Sequence, residues 1–291
     1  MAVVVGVDAG GTASKAVVTD LDGTVLGRGS AGPGNPSAAG VPAVRAIGSA
    51  LRSALGTIDP ATVTAGVVGV AGASAVADPA IRSAFDEEWA ALGLTCQIPI
   101  VGDAVTAFAA GGDWTAGAVL ISGTGAVAAL VDDLEVTRVA DGLGWLLGDE
   151  GSGLWLGLQA VRRAARAWHA PLARAVAAHA GAATAADLVH WAQALPPFGA
   201  LAPLVCELAD GGDPDAAAIV SDGAARLVAT LDELAAPDAP VVLAGGLLTA
   251  GTPIRRAVAA TLEARGTALG TADDPALGAA RLATQRALSR R

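Results

Sequence analysis

Basic residues are scarce in this sequence of 291 residues. It contains 18 lysines and arginines against 28 acidic residues, for a net charge of −10, and Lys15 is its only lysine. The arginines are scattered and form no basic stripe. Nucleic acids and anionic membranes both require a concentrated basic face, so neither is expected as the main partner.

Cysteine is also rare, and the first apolar run is short. Cys96 and Cys206 lie far apart without a partner motif, so neither a disulfide framework nor a zinc site is expected. The first apolar run ends at Asp8, too early for a signal peptide. The uncharged stretches 60–77 and 114–131 are interrupted by Gly, Ser and Thr, and we interpret them as buried strands rather than membrane spans. A soluble, cytoplasmic protein is therefore expected.

What the sequence does contain is a weak internal repeat. Residues 3–32 are predicted as three strands, because a glycine turn (DAGGT) and an Asp/Gly turn (DLDG) separate their apolar runs. Residues 118–144 follow the same plan, with SGTG as the glycine turn and VDDLE as the second bend. The repeat implies two similar halves.

Outside the repeats, the pattern favours helices that cover a mixed sheet. Alternation of helix and strand over 41–101 is typical of βαβ units, and the Ala-rich amphipathic runs after 150 predict a mostly helical second half. No Ser-rich or charged linker separates the halves, so the boundary is predicted as a hinge near 103–117. The predicted helices lie near 41–55, 78–92, 151–180, 184–194, 200–209, 214–235, 253–265 and 275–288, and the further strands near 63–70, 98–101 and 241–244.

Three glycine-rich strand ends are the candidate nucleotide-binding elements. DAGGT at 8–12 exposes backbone N–H groups that could hold phosphate, and Asp8 just before them could anchor a hydrated Mg²⁺. The spacing of a Walker A loop is absent, so this turn alone fits an ordinary hairpin equally well. SGTG at 122–125 and the AGG that ends a strand at 244–246 recur in an order that chance does not readily explain.

The order of the motifs GVDAGGT, GVVGVAG, GDAVTAF, LISGTGAVAAL, GDEGSG and VVLAGG resembles the actin, hexokinase and Hsp70 ATPase superfamily. Within it, the sequence is similar to the BadF/BadG/BcrA/BcrD ATPase family, and most of all to its N-acetylglucosamine kinases. The resemblance implies an α/β fold of two ribonuclease H-like domains with an ATP cleft between them. The expected domains are 1–110 and 111–274; the second is enriched in helices, and a C-terminal helix at about 275–291 packs back on the first.

The resemblance also implies roles for individual residues. Asp103 would be the catalytic base, although its position before an Ala-rich run also fits a helix N-cap. Asp8 is the expected metal ligand. The residues expected to bind the sugar are Asn35, Asp103, Gly125, Gly142 and Asp149. The residues expected to bind ATP are Gly10, Gly11, Thr12, Gly123, Thr124, Gly245, Gly246 and Thr249.

One departure from the pattern leaves a question open. Similar sugar kinases often have Gly-Gly-Trp-Gly before GDEG, whereas this sequence has DGLG at 141–144, which would present Asp141 and Leu143 to the pocket. The substituent at the second carbon of the sugar is therefore uncertain. The roles of Glu150 and Lys15 stay open as well, with an exposed or strand-edge position favoured for Lys15.

The resemblance predicts an enzyme that uses ATP and Mg²⁺ to convert N-acetylglucosamine to its 6-phosphate, as a homodimer. Glucosamine or another hexose is an alternative substrate. A second alternative is an ATPase that activates a radical dehydratase through an iron–sulfur cluster, for which Cys96 and Cys206 supply the number of ligands but no convincing placement. A sugar sensor without catalysis is a third, but the sequence has no DNA-binding segment.

Overall fold

The computed structural model describes residues 1–132 and 135–289, which form two compact units. The first unit comprises Met1–Gly117, Val131–Thr137 and Ala272–Arg291, and the second comprises Ala118–Leu130 and Arg138–Thr271. The bend predicted at VDDLE includes residues 133 and 134, which lie outside the described residues.

The first unit contains a five-stranded sheet in the order β3-β2-β1-β4-β5. Its first three strands form an antiparallel meander, and β4 and β5 extend the sheet in parallel from β1. The carboxyl ends of β1, β4 and β5 therefore meet at one edge. The strands are β1 (Val3–Ala9), β2 (Ser14–Asp20), β3 (Val25–Ala31), β4 (Val63–Val70) and β5 (Ile100–Gly102).

The second sheet repeats this plan. Its order is β10-β9-β6-β7-β8, which places each strand where its counterpart lies in the first sheet, and β9 again runs parallel to β6 and to β10. The duplication predicted from the glycine turns is confirmed. The strands are β6 (Ala116–Ser122), β7 (Ala126–Asp132), β8 (Glu135–Asp141), β9 (Val241–Ala244) and β10 (Leu269–Thr271).

Helices lie close to their predicted positions, with one split. The run predicted over 151–180 forms two helices, because the chain leaves the first after Arg166 and Pro171 can only start a new one. The helices are α1 (Pro36–Ala39), α2 (Val41–Leu55), α3 (Pro79–Ala91), α4 (Asp103–Gly111), α5 (Gly153–Arg166), α6 (Pro171–Ala180), α7 (Ala185–Gln193), α8 (Ala202–Asp210), α9 (Pro214–Asp232), α10 (Gly246–Thr249), α11 (Pro253–Ala264) and α12 (Pro275–Ser289). Strand β10 was not predicted, because its three half-buried residues carry too little apolar signal.

Each unit has its own apolar core. In the first, Val5 and Val7 of β1 pack with Ile47 and Leu51 of α2 and with Phe85 of α3. In the second, Leu120 and Leu243 of the sheet join Leu156, Leu227 and Ile254 of the helices. Buried apolar area of this kind is the main source of stability in a domain.

The last helix, α12, belongs to the first unit and packs directly on β1. A methyl group at Gly6 would collide with backbone atoms of Ala276 and Ala280, so the two backbones approach more closely than a side chain on β1 would allow. On another side of α12, Gly278 approaches the backbone of Thr106 and Ala110 in α4 just as closely. Small residues thus fix α12 against both elements.

Within the part of the chain that the structure describes, no helix has both the length and the apolar character needed to cross a bilayer.

Candidate active site

Two carboxylates lie at the carboxyl edge of the first sheet. Asp8 is the last but one residue of β1, and Asp103 is the first residue of α4, directly after β5. Asp8 lies opposite Gly69 of β4, and Val70 lies opposite Gly102 of β5, so the strand register brings both side chains to the same edge. Ligand-binding residues in open α/β sheets concentrate at this edge.

Both carboxylates are held in an environment that disfavours their charge. Burial raises the pKa of Asp8 to about 7; the nearby charge of Asp103 adds to the shift and that of Lys15 opposes it. Burial also raises the pKa of Asp103. The N–H of Ala104 donates to Asp103 Oδ1 at 3.0 Å and lowers this pKa, but by less than burial raises it. A perturbed acid beside a second acid is typical of a site built for a proton or a cation.

Lys15 lies directly across the hairpin from Asp8. The turn between β1 and β2 pairs Ala9 with Ser14 and Asp8 with Lys15, and residues opposite each other in a strand pair point to the same face. The exposed ammonium lowers the pKa of Asp8. The only lysine of the sequence therefore lies beside the first glycine turn. Pairing the residues on either side of that turn, outward from its tip, would have predicted this placement.

Asn35 is fixed beside the same turn by its loop. The N–H of Gly34 donates to the carbonyl of Gly10 at 2.9 Å. Asn35 caps α1, its Oδ1 accepting the N–H groups of Ser37 at 2.9 Å and Ala38 at 3.3 Å. The group that Asn35 can offer to a ligand is therefore its amino group, Nδ2. Gly72 has a φ of +73°, and a methyl group there would collide with Asn35 and Ser37.

Several glycines of the predicted ATP site have no structural requirement to be glycine. No atom lies within 4 Å of the position that a methyl group would take at Gly11 or Gly246, and at Gly10 the nearest is 3.9 Å away. None of the three has a positive φ. Neither packing nor backbone conformation explains these glycines, and close approach of a ligand to the backbone would. Thr12 is exposed at the end of the same turn.

In the second unit, the SGTG turn is tied to the segment that follows β8. The buried hydroxyl of Ser122 donates to the carbonyl of Gly151 at 3.0 Å, and the N–H of Gly153 donates to the carbonyl of Gly123 at 2.8 Å. Thr124 is exposed at the tip of the turn. The turn and the start of α5 thus form one hydrogen-bonded frame.

Asp149 lies against this frame. Its Oδ1 accepts the N–H of Ala126 at 3.1 Å, and a methyl group at Gly125 would approach both of its carboxylate oxygens to 3.0 Å. Gly142 is close by, since its N–H donates to the carbonyl of Ala126 at 3.1 Å. Burial raises the pKa of Asp149, and the charge of Asp141 raises it further. The hydrogen bond from Ala126 has the opposite effect, which is smaller than that of burial. Gly125, Gly142 and Asp149 are therefore together.

Asp141 is an anchor for the turn that carries Asp149. Its Oδ1 accepts the N–H of Asp149 at 2.7 Å, and its Oδ2 accepts the N–H of Glu150 at 3.0 Å. Both Asp141 and Asp149 have left-handed backbone conformations, with φ of 62° and 56°. Such strain persists only where the surrounding structure enforces it. We had expected Asp141 to point into a sugar pocket, but its carboxylate is directed at the backbone of the turn, while Leu143 is exposed.

Glu150 is directed toward α9, where it forms an ion pair with Arg226. Arg226 also pairs with Asp222 at 3.2 Å, and its guanidinium carbon lies 5.2 Å from the ring centre of Trp155. Sequence reasoning did not find this network, because its members are far apart in the chain. Glu150 is thus linked to α9.

The third glycine element lies at the end of β9. Gly245 has a φ of +82°, and a methyl group there would collide with the backbone of Ser122. Both the backbone conformation and the packing therefore require glycine at this position, in contrast to Gly246. The hydroxyl of Thr249 donates to the carbonyl of Gly245 at 3.1 Å, which stiffens the short helix α10. The elements predicted to bind nucleotide in the second unit are thus Gly123, Thr124 and this strand end.

The donor set around Asp8 fits Mg²⁺ better than it fits a metal held entirely by protein. Among the described residues, no group of three or more His, Cys, Asp or Glu side chains could hold a metal ion. Mg²⁺ is instead commonly bound through one or two carboxylates, with waters and phosphate oxygens completing its coordination. The carboxylate of Asp8, with the charge of Asp103 near it, suits that mode.

Solved structures similar to this chain share its fold. A structure described as "Putative N-acetylglucosamine Kinase from Chromobacterium violaceum" is 27% identical, with 97% of this chain and 99% of that chain covered and a TM-score of 0.79. A protein of the same description from Porphyromonas gingivalis is 23% identical over 98% and 99% of the two chains, with a TM-score of 0.78. A ROK family glucokinase from Streptomyces griseus, in complex with glucose and AMPPNP, is 21% identical over 97% and 99%, with a TM-score of 0.63.

These likenesses confirm the predicted actin-like ATPase fold. A comparison with curated proteins found no significant match. The family model for the BadF/BadG/BcrA/BcrD ATPases matches residues 5–283, nearly the whole chain. With the duplicated sheets and the glycine turns at their strand ends, this match shows that the chain belongs to the BadF/BadG/BcrA/BcrD ATPase family.

Proposed function

We propose that this protein is an ATP- and Mg²⁺-dependent kinase that phosphorylates N-acetylglucosamine on its 6-hydroxyl group. The family supports the use of ATP, and the similar structures from Chromobacterium violaceum and Porphyromonas gingivalis support the sugar. Asp103 carries the proposal. It lies at the carboxyl edge of the sheet, half-buried, with a raised pKa and a second carboxylate nearby.

Asp103 is the proposed general base. Its carboxylate accepts the proton of the sugar 6-hydroxyl while that oxygen forms a bond to the γ-phosphorus of ATP, and the bond from that phosphorus to the bridging oxygen of ADP breaks. A base with a raised pKa is better matched to a hydroxyl proton than an ordinary aspartate is. The products are the sugar 6-phosphate and ADP.

Asp8 is the proposed ligand of the metal ion. When bound, Mg²⁺ would neutralise charge on the phosphate oxygens. Asp8 would orient it through its carboxylate, and Lys15 across the hairpin would add a second positive charge at the first turn. These side chains replace the lysine and threonine of a Walker A loop, which this chain lacks.

Backbone N–H groups are the proposed phosphate donors. Gly10, Gly11 and Thr12 would serve in the first unit, and Gly123 and Thr124 in the second. Gly245, Gly246 and Thr249 would contact the nucleoside part of ATP, for which the open space beside Gly246 gives room.

The proposed sugar ligands divide by chemistry. Asn35 would donate from Nδ2 to a sugar oxygen, because its carbonyl oxygen already caps α1. Asp149 would accept from sugar hydroxyl groups through the carboxylate oxygen that Ala126 does not occupy. Gly125 and Gly142 would let the sugar approach the backbone beside Asp149.

The iron–sulfur alternative is disfavoured by the state of Cys206. Cys206 is buried, which leaves little of its sulfur open to a cluster, and the burial raises the pKa of the thiol to about 11. Cys206 lies in the second unit within α8, and Cys96 lies in the first unit before β5. The homodimer and the cytoplasmic location stay predictions.

A coupled ATP-consumption assay with four sugars tests the proposal. N-acetylglucosamine, glucosamine, N-acetylmannosamine and glucose are each supplied with Mg²⁺ and ATP, and the phosphorylated position is identified by ³¹P and ¹³C NMR. We expect N-acetylglucosamine to have the highest kcat/KM. A higher value for glucosamine or glucose would support the alternative substrate, and turnover of none of the four would show that the kinase proposal is wrong.

A further inference from the structure

We propose that Asp141 is a positioning residue for Asp149, and that it sets both the orientation and the charge with which Asp149 meets a sugar hydroxyl. This inference rests on the proposed sugar kinase function. It assigns Asp141, which the sequence placed in the pocket, a role that acts through Asp149 instead of through direct contact with the sugar.

Asp141 holds the turn through hydrogen bonds from the N–H groups of Asp149 and Glu150, and we call this pair of hydrogen bonds the clamp. One carboxylate oxygen accepts the N–H of Asp149 and the other accepts the N–H of Glu150, at 2.7 and 3.0 Å. The two N–H groups belong to consecutive residues, so a single carboxylate fixes the orientation of both peptide groups. Charge-assisted hydrogen bonds of this kind are shorter and stronger than neutral ones.

The clamp acts where the backbone is strained. Asp149 has a φ of 56°, which a non-glycine residue adopts only when its surroundings require it. A methyl group at Gly148 would collide with the carboxylate of Asp141, so the glycine before Asp149 makes room for the clamp. Without the carboxylate, Asp149 would keep only the hydrogen bonds from the N–H of Ala126 to its side chain and from the N–H of Ser152 to its carbonyl, so we expect its backbone to relax toward a less strained conformation.

An ion pair holds the opposite side of the turn. The side chain of Glu150 pairs with Arg226 of α9, which also pairs with Asp222 and lies over Trp155. That ion pair fixes the turn to α9 but contacts neither the backbone nor the carboxylate of Asp149. Orientation of Asp149 therefore depends on Asp141 and on the Ala126 N–H.

Asp141 also acts on Asp149 through charge. Its carboxylate raises the pKa of Asp149 in addition to the larger effect of burial. Glu150, the next residue in the chain, is paired with Arg226, which also pairs with Asp222. Removing the charge of Asp141 should therefore lower the pKa of Asp149.

Two variants of the full-length protein test the clamp. Asp141→Asn keeps the side-chain shape and removes its charge, and Asp141→Gly removes the clamp while tolerating the left-handed backbone, so it should fold even if the first does not. Asp20→Asn is the matched control, because Asp20 also accepts two backbone N–H groups in a turn, those of Asp22 and Thr24, but lies in the β2–β3 hairpin.

Two measurements are made on each protein. The titration of Asp149 is followed without sugar by NMR of ¹³C-labelled aspartate, with the resonance assigned through Asp149→Asn. Binding of N-acetylglucosamine and of ATP is measured by calorimetry. We expect both Asp141 variants to lower the pKa of Asp149 and to weaken sugar binding roughly tenfold to a hundredfold, with ATP binding unchanged. Asp20→Asn should change none of these.

The outcomes separate the inference from the function on which it rests. Sugar affinity within twofold of the parent, or an Asp149 titration that does not move, would contradict the role of Asp141 in a protein that binds sugar. If the parent protein does not bind N-acetylglucosamine, the proposed N-acetylglucosamine kinase function is wrong, and the role assigned to Asp141 is withdrawn with it.

Discussion

The glycine turns that follow β1 and β6 occupy equivalent places in two matching sheets, yet their polar groups are used differently. In the first unit, Asp8 and Asp103 lie near each other with raised pKa values. In the second unit, the hydroxyl of Ser122 and the carboxylate of Asp149 accept or donate hydrogen bonds within the unit.

The difference indicates that the two units took on different roles after duplication. The first unit keeps carboxylates that a cation or a proton would stabilise, so it is suited to the chemical step. The second unit ties Ser122 and one carboxylate oxygen of Asp149 to neighbouring groups through hydrogen bonds and so forms a rigid frame, which is suited to orienting a substrate. We expect substitution of Asp8 or Asp103 in the first unit to lower kcat, and substitution around Asp149 in the second unit to raise KM for the sugar.

The largest expected effect is at Asp103. Asp103→Asn should lower kcat by about 10²-fold to 10⁴-fold, because the amide cannot accept the hydroxyl proton. Asp78→Asn is the control, since Asp78 also lies at a helix start, where it accepts the N–H of Ala80. Steady-state kinetics would measure both. If Asp103→Asn retains turnover like that of Asp78→Asn, then Asp103 is not the general base.

The two glycine turns should respond differently to an added methyl group. Gly125→Ala would press on the carboxylate of Asp149, already 3.0 Å from that position, and should raise KM for the sugar roughly tenfold. Gly11→Ala meets no atom within 4 Å, so it should leave the melting temperature unchanged and raise KM for ATP instead. Thermal denaturation and kinetics with each substrate varied check both. An equal effect of the two variants on the same KM would contradict the different roles of the two units.

The pH dependence should also distinguish the two units. Burial raises the pKa of Asp103, and the base must be deprotonated to act, so kcat/KM should fall as the pH decreases through a value above the ordinary range of aspartate. The part of the fall that comes from Asp103 should be absent from the small residual activity of Asp103→Asn, in which the titration of Asp8 remains. A pH profile that is the same in the parent and in this variant would assign the titration to another group.

The smallest expected effect is at Lys15. Lys15→Gln removes the positive charge opposite Asp8 and should raise KM for ATP roughly twofold to fivefold, as expected for an exposed ion pair. Lys15→Arg keeps the charge and should restore most of the affinity. Because exposed charges are screened by salt, the difference between the two variants should shrink as ionic strength increases. A difference independent of salt would mean that Lys15 acts by packing.

Much of the fold could be predicted because its signals are local. Helix α2, strand β4 and strand β9 occupy the predicted ranges, since their apolar periodicity and flanking turn residues are strong. The two hairpins are found from glycine and aspartate at the bends. Asp8 and Asp103 could be singled out because each lies at the end of a strand and close to a glycine.

The rest of the candidate site depends on contacts between residues distant in sequence. The bond from Asp141 to Asp149 and the pairing of Glu150 with Arg226 follow from how β8, α5 and α9 pack, which composition and spacing do not specify. The unusual backbone of Asp149 was equally hidden, because aspartate is also a common residue at a helix start.

The packing of α12 on β1 has a consequence for the order in which the chain folds. Residues near Gly6 are made first, but their cover around Ala280 is made last. During synthesis the second unit can therefore complete its core while the first still exposes one side of its sheet to solvent and chaperones. We expect a chain ending at residue 271 to retain a protease-resistant second unit and to lose residues 1–117 to limited proteolysis, as read by mass spectrometry. Intact resistance of both units would show that the first folds without its last helix.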